Sequence, residues 1–460
     1  MTSLRVYAPF VLYACIAFAV TLPVALDEPR NFQSFWINAV WLEQFSTQLA
    51  SGHAYPRWLP ESHNGLGSPV FYYYPPLSFY IASVPALLGL SPYLASMAAF
   101  GFGCFASGLT MHLWLKGAEF RVPASAIFMV MPYHLFDLVY RGALAEYMGI
   151  ALIPLIAMGL KKRPVLLAFA YAGLIATHLP LALLVSLFMI LPYGAWLAWK
   201  DRSHFNLAAI GLSLGLLISG IYLFPALALD EFRKTDELYR FANLQTTSWN
   251  FFDPDGWATP GVMQRIIGIT ALLAFGALFA VRRGSFWPIL SITVCVLVSG
   301  LLPIWHLPLL ADVQFPWRAL PIVEFALVTG AARLRLVFFV AALAPALSGS
   351  LLNPPHGGSN AASFDYIMAR HVDVAEYLPR AVPAGLTNYS EWAQNISNKA
   401  TTAFYYPSLG KSSDGVLLDG QPRLRTLWQE WVGLLISLIG ILGTLLFHLR
   451  NGPRRASVRD

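Results

Sequence analysis

Residues 5–26 read RVYAPFVLYACIAFAVTLPVAL, and after Arg5 the run carries no charged side chain. A helix that crosses a bilayer needs about 20 predominantly apolar residues, so this stretch is long enough to span. No small-residue cleavage site follows it, which predicts a retained helix and not a removed signal segment. Twelve further apolar stretches follow, near 71–91, 93–115, 123–139, 147–160, 164–178, 180–199, 205–228, 264–281, 286–304, 318–332, 336–352 and 428–449. They predict an all-α polytopic membrane protein of about 12–13 transmembrane helices.

Composition agrees. Of 460 residues, 57% are hydrophobic and 12% charged, the latter about half the usual share in soluble proteins. That balance excludes a disordered chain, a coiled coil and a nucleic-acid binder, despite a net charge of +6. Much of the basic excess lies beside the apolar stretches, at Lys161, Lys162 and Arg163, at Arg282 and Arg283, at Arg333 and Arg335, and at Arg450, Arg454, Arg455 and Arg459. Lys and Arg next to spans mark cytoplasmic loops, which leaves 229–262, 305–317 and 353–427 on the outer side of the cytoplasmic membrane. Thirteen crossings cannot leave both termini inside. Either one candidate is re-entrant or merged with its neighbour, most readily within the proline-broken region 71–160, or the N-terminus faces out. Cys15, Cys104 and Cys295 fall in apolar stretches and offer neither a disulfide framework nor a metal cluster.

The organisation this predicts is a multi-helix domain over 1–352 with a first outer loop at 27–70, an outer-face segment at 353–427, a last span at 428–449 and a basic tail at 450–460. Within the first loop, Phe35, Trp36, Val40, Trp41 and Phe45 are spaced for an interfacial helix lying flat on the membrane between Phe32 and Leu49. In 353–427, Phe404, Tyr405 and Tyr406 precede Asp414-Gly415 and Asp419-Gly420, a hairpin-like signal for a small β subdomain. No strong internal repeat is visible, which counts against a transporter.

Charges at membrane depth or at its mouth are costly, and each is a candidate for function. Asp27 and Glu28, at the end of the first span, suit a general base or part of a divalent-cation site; solvated loop carboxylates are the plainer reading. Arg57, between Pro56 and Trp58 in an aromatic, proline-rich run ending at Tyr73, Tyr74, Pro75, Pro76 and Leu77, is placed to hold a phosphate, where the plainer reading is an aromatic anchor. Asp137, Tyr140, Arg141 and Glu146 interrupt the longest ambiguous apolar region, and Arg141 and Glu146 are spaced to neutralise each other. His178 stands alone between two spans, the usual setting of a structural histidine. Arg318 closes Gln314-Phe-Pro-Trp-Arg318 with Asp312 and Glu324 nearby, either as a salt bridge or, with Arg57, as a binding pair for a lipid phosphate or pyrophosphate.

Several of these strings, taken in order, resemble a known family. Tyr55-Pro-Arg-Trp58, Asn64-Gly-x-Gly67, Phe71-x-x-Tyr-Pro-Pro-Leu77, Arg141-Gly-Ala-Leu-Ala-Glu146, Thr177-His-Leu-Pro180, Gln314-Phe-Pro-Trp-Arg318 and Glu376-Tyr-Leu-Pro379 look like the bacterial membrane proteins catalogued as 6-pyruvoyl-tetrahydropterin synthase-related. These are in turn similar to GT-C glycosyltransferases and to YfhO-type membrane proteins. The resemblance implies a GT-C-like fold and a sugar transferred, at the outer face, from a polyprenyl-phosphate carrier to an envelope glycan, lipid or protein. It implies catalytic roles for Asp27, Glu28 and Glu146, with Asp27 and Glu28 holding any divalent cation, Mg or Mn. Arg57, Arg141, His178 and Arg318 would bind substrate, beside Trp58, Tyr73 and Tyr74. Relatives tend to carry a His-Asp pair and a second histidine where this chain has Gln33, Ser34 and Asn38, which leaves Asp27, Glu28 and Glu43 as the available acids. The rivals from another class are a lipid or polysaccharide transporter and a non-catalytic assembly protein on the same scaffold.

Overall fold

The computed structural model describes residues 2–27, 34–62, 67–230, 266–274, 286–333, 340, 361–377 and 427–451. Among them the chain is helical, and its one extended pairing is an isolated antiparallel bridge between Leu59 and Ser68. Five helices are long and apolar enough to cross a membrane: Tyr7–Leu26, Pro92–Trp114, Arg121–Arg141, Leu179–Lys200 and Trp428–Asn451. A sixth span forms if Ser203–Ile218 and Gly220–Ala228, bent by 69° at their junction, are taken together. Leu77–Leu87, Leu144–Leu160, Pro164–Thr177 and Phe286–Val298 are apolar but shorter. The chain is thus a multi-pass membrane protein, all-α among the described residues, which hold fewer full-length crossings than the apolar stretches of the whole sequence predict. Of the remaining expected spans, half of 264–281 and all of 336–352 but Val340 lie outside the described residues.

The long helices differ in what surrounds them. Only 22% of the apolar window in Tyr7–Leu26 and in Trp428–Asn451 is buried by protein, against 78% in Arg121–Arg141. The first two present most of their surface outward, as a lipid-facing helix does; the third is core. Apolar composition is the same answer to both solvents, which is why the sequence cannot separate them.

The bend at Ser219 is held from a distance. A broken helix frees a carbonyl and an amide that lipid cannot satisfy. Ser437, on the last helix, serves both: its hydroxyl donates to the Ile218 carbonyl at 2.7 Å and accepts from the Ile221 N–H at 2.7 Å. The approach requires glycine, since a Cβ on Gly433 would sit 2.7 Å from the Gly220 oxygen, and one on Gly440 would sit 2.6 Å from the Ile218 nitrogen. Beyond the bend, the Tyr222 hydroxyl donates to the Tyr73 carbonyl at 2.9 Å, and the Tyr73 hydroxyl to the Leu229 carbonyl at 3.0 Å.

The first outer loop differs from expectation. Helix Phe35–Ala50 forms, but Phe35, Ile37, Asn38, Val40, Trp41, Leu42, Gln44 and Phe45 are all buried, so it does not lie flat on a bilayer. It packs against helices Leu77–Leu87 and Pro92–Trp114 and beneath helix Ala361–Arg370. Trp41 and Phe45 meet Phe71, Tyr74 and Phe79 in edge-on or tilted ring pairs 4.6–6.1 Å apart. An aromatic partner on each side removes the need for lipid. In 353–427 the described residues are 361–377, with helix Ala361–Arg370 and the turn Ala375–Tyr377, and Leu427; the hairpin signal at 404–420 lies outside the described residues.

Basic residues gather at one end. The Lys161 ammonium lies 3.9 Å over the Trp114 ring, Lys200 lies 3.6 Å over Trp196, and Lys162 pairs with Asp201. The candidate functional residues sit at the other end of the same helices, for span Leu179–Lys200 begins directly after His178.

Candidate functional site

Glu146 is the centre of a buried charge cluster. Its Oε2 accepts from Arg141 Nη1 at 2.7 Å and from Arg318 Nε at 3.0 Å, while Oε1 accepts from the Tyr133 hydroxyl at 2.6 Å. Arg141 Nη1 also donates to Asp137 Oδ1 at 2.7 Å and to the Tyr133 oxygen at 3.0 Å. His178 completes the ring of contacts, its Nε2 lying 3.8 Å from Glu146 Oε2. The His178 Nδ1 accepts from the Leu181 N–H at 3.1 Å. With Nδ1 occupied as an acceptor, the neutral ring carries its proton on Nε2, facing Glu146. Two guanidiniums and two carboxylates balance one another, the arrangement under which charge survives burial.

Local backbone distortion builds this cluster. Asp137–Arg141 is a π-helical turn, of the kind that recurs at functional sites. Gly142 ends it at φ 57, and there a Cβ would lie 2.6 Å from the Phe35 ring. Its carbonyl takes a 2.6 Å hydrogen bond from Asn38 Nδ2, and the Arg141 carbonyl takes one of 2.9 Å from the Ser34 N–H. The opening of helix Phe35–Ala50 is thereby fixed against the turn. Phe315 also has left-handed backbone, φ 62, a conformation a bulky residue keeps only under constraint. Its ring lies 5.0 Å from the Arg318 guanidinium carbon and 5.6 Å from that of Arg141.

The cluster faces a cavity of about 1080 Å³, a size that suits a small-molecule ligand. Its wall takes residues from most of the strings singled out above: Tyr73 and Tyr74; Arg141 and Glu146; His178; Gln314, Phe315 and Arg318; Glu376 and Tyr377. Ser34 and Asn38 line it too. Trp36, Trp41 and Tyr222 add aromatic wall, and Asp230 and Asp312 add carboxylates. Tyr133 and Trp41 were not foreseen as site residues; Pro132-Tyr-His134 in an otherwise apolar stretch is the signal that was available.

Three expected site residues are placed elsewhere. Arg57 is buried, with Nη2 donating to the Ile221 carbonyl at 2.7 Å, Nε 3.3 Å from Glu430 Oε2 and its guanidinium carbon 3.7 Å from the Tyr55 ring centre. It fastens the loop to the last helix and does not line the cavity, so Arg57 and Arg318 are not a phosphate-binding pair. Trp58 packs over Gly67, where a Cβ would come within 2.2 Å of its ring, also off the cavity. Asp27 ends helix Thr2–Leu26 and is not part of the cavity wall; Glu28 lies outside the described residues. Arg318 pairs with Glu146, not with Glu324. Among the described residues no three His, Cys, Asp or Glu side chains form a metal-ligand group, and Glu28, half of the pair expected to hold Mg or Mn, lies outside them.

The wall is closed by the segment that follows helix Ala361–Arg370. The Trp41 Nε1–H donates to Asp373 Oδ1 at 2.8 Å, and Tyr377 stacks on Tyr73 at 6.3 Å. At the segment's exposed edge, His371 Nε2 lies 3.0 Å from Glu61 Oε2 and 3.4 Å from Glu43 Oε2. The contact with Glu43 raises the His371 pKa above its ordinary value; partial burial opposes this, and the charges of Glu61 and Glu43 add to the rise. A raised folded-state pKa gives stability that is complete below the unfolded value, about 6.5, and is lost as pH climbs through the folded one. The thermal midpoint of the wild type should therefore fall across that interval relative to His371→Asn, a residue that tolerates the left-handed φ of 46 found here. Parallel melting curves for the two proteins would remove His371 as the source.

Compared with protein-family models, with curated proteins and with solved structures, the chain gives no match in any of the three.

Proposed function

We propose that the protein is an integral membrane glycosyltransferase that moves a sugar from a polyprenyl-phosphate carrier to an acceptor hydroxyl at the outer face of the cytoplasmic membrane. The observation that carries this reading is the convergence of Arg141, Arg318 and His178 on a large cavity whose lining also includes Trp36, Trp41, Tyr73, Tyr74, Tyr222 and Tyr377. Aromatic faces suit sugar rings and prenyl groups, and fixed guanidiniums suit a phosphate on which charge grows as it departs. In the transfer, the anomeric C–O bond to phosphate breaks and the phosphate keeps the electron pair. The acceptor oxygen bonds to the same carbon and releases its proton to a base.

Glu146 is poorly suited to be that base, because both its oxygens are taken by Arg141, Arg318 and Tyr133. Its role in this proposal is to hold the two arginines in place. The base is sought among the other wall carboxylates, Asp230, Asp312 and Glu376. The reading is tested with purified protein in vesicles carrying a panel of radiolabelled polyprenyl-phosphate sugars and envelope acceptors, comparing wild type with Asp230→Asn, Asp312→Asn and Glu376→Gln. Transfer by the wild type, and loss of about 10²-fold or more in one variant, is expected. Binding of the carrier without transfer to any acceptor would favour the non-catalytic assembly protein instead.

A further inference from the structure

A second buried polar pair lies behind the first, and the proposed reaction does not use it. Glu324 is fully buried on helix Leu320–Ala331, where an acid among apolar residues carries a desolvation cost that calls for a purpose. Its Oε1 accepts from the Tyr133 backbone N–H at 2.6 Å, and its Oε2 lies 3.0 Å from His134 Nδ1. With Glu324 ionised, the carboxylate only accepts and the histidine proton sits on Nδ1. The other ring nitrogen, Nε2, is buried with no hydrogen-bond partner among the described residues.

Both contacts fall on the first turn of helix Pro132–Phe136, the turn from which the Tyr133 side chain reaches Glu146 and Arg141. The segment that supplies Glu324 supplies Arg318 as well, from the short turn Pro316–Ala319 that leads into the helix. One stretch of chain thus touches the cluster at its front through Arg318 and at its back through Glu324. We infer that Glu324 is a positioning residue: by fixing the Tyr133 backbone and His134, it aims the Tyr133 hydroxyl at Glu146 and so sets the geometry of Arg141 and Arg318 at the cavity. The inference rests on the proposed transfer reaction for its kinetic consequence and on the hydrogen bonds alone for its structural one.

If Glu324 acts through Tyr133, its effect must vanish when the hydroxyl is absent. Glu324→Gln keeps an acceptor for the Tyr133 N–H but offers an N–H to His134, which forces the ring proton onto the nitrogen that has nothing to receive it. The test is a double-mutant cycle over wild type, Glu324→Gln, Tyr133→Phe and the double variant. Expected is a fall of up to about 10²-fold in kcat for Glu324→Gln, the size of effect that misplacement near a reacting centre produces, with KM nearly unchanged and no further fall on adding Glu324→Gln to Tyr133→Phe. A purely structural role would lower both backgrounds alike, and multiplying effects overturn the inference. If Glu324→Gln does not fold, unchanged kcat in Tyr133→Phe overturns it. If the wild type shows no transfer, the proposed function falls, and phenylglyoxal labelling of Arg141 and Arg318, read by mass spectrometry, decides the matter on the same four proteins. Labelling should rise on Glu324→Gln when Tyr133 is present and be indifferent to it when Phe is there; equal increases in both overturn the inference.

Discussion

Replacing Arg141 with Met should lower the thermal stability of the protein more than any other single change in the cavity wall. The substitution removes the cation that stands 2.7 Å from both Asp137 and Glu146. Asp137 is fully buried and loses its charged partner outright; its other oxygen, Oδ2, has no partner among the described residues even in the intact protein. Breaking one side of a buried ion pair costs about 3–5 kcal/mol, because the remaining charge stays desolvated. Tryptophan fluorescence on heating in detergent measures the effect. Adding Asp137→Asn to Arg141→Met takes away the orphaned charge and should recover part of the loss. A double variant no more stable than Arg141→Met would mean that the cluster is not balanced as its geometry indicates.

The second large effect is on turnover. Arg318 is the cluster's most exposed member, its side chain 12% accessible on the cavity side, and Glu146 keeps Arg141 and Tyr133 when it is removed. Arg318→Gln should therefore cost less stability than Arg141→Met, about 1–3 kcal/mol, but in the transfer proposed above it should reduce kcat by about 10²–10³-fold, as loss of one preorganised donor to a developing anion does. The two variants thus separate holding the site together from acting in it. A turnover within a few-fold of wild type for a folded Arg318→Gln would detach this arginine from the leaving phosphate.

These two arginines also mark the limit of what the sequence reveals. The Arg141–Glu146 contact was legible, since residues five apart across a helix break are neighbours before any tertiary structure exists. Arg318 joining the same carboxylate from 172 residues away was not, although the string that ends in it was visible as unusual. Arg57 shows the opposite error. A long cation in an aromatic, proline-rich loop has the same local appearance whether it faces a cavity or reaches, as it does, Glu430 on the last helix. The partner of a flexible side chain is a property of the fold and not of the neighbouring residues. The amphipathic reading of helix Phe35–Ala50 failed for a related reason: an apolar stripe needs an apolar partner, and here rings from Phe71, Tyr74 and Phe79 supply it in place of lipid. All-α membrane character needed no such knowledge, because every helix in lipid or in a helical core satisfies its own backbone.

The Ser437 hydroxyl that bridges Ile218 and Ile221 bears on when the site comes into being. Tyr222 and Asp230, two residues of the cavity wall, follow the bend that this hydroxyl supports. Ser437 lies 219 residues after Ile218, and at ribosomal speeds of about 5–20 residues per second it emerges some tens of seconds later. A nascent chain would carry Arg141, His178 and Glu146 in the membrane long before the wall opposite them is braced. Under the proposed function, synthesis order alone then delays activity until the last helix has docked, and a chain truncated before that helix would be inserted but silent.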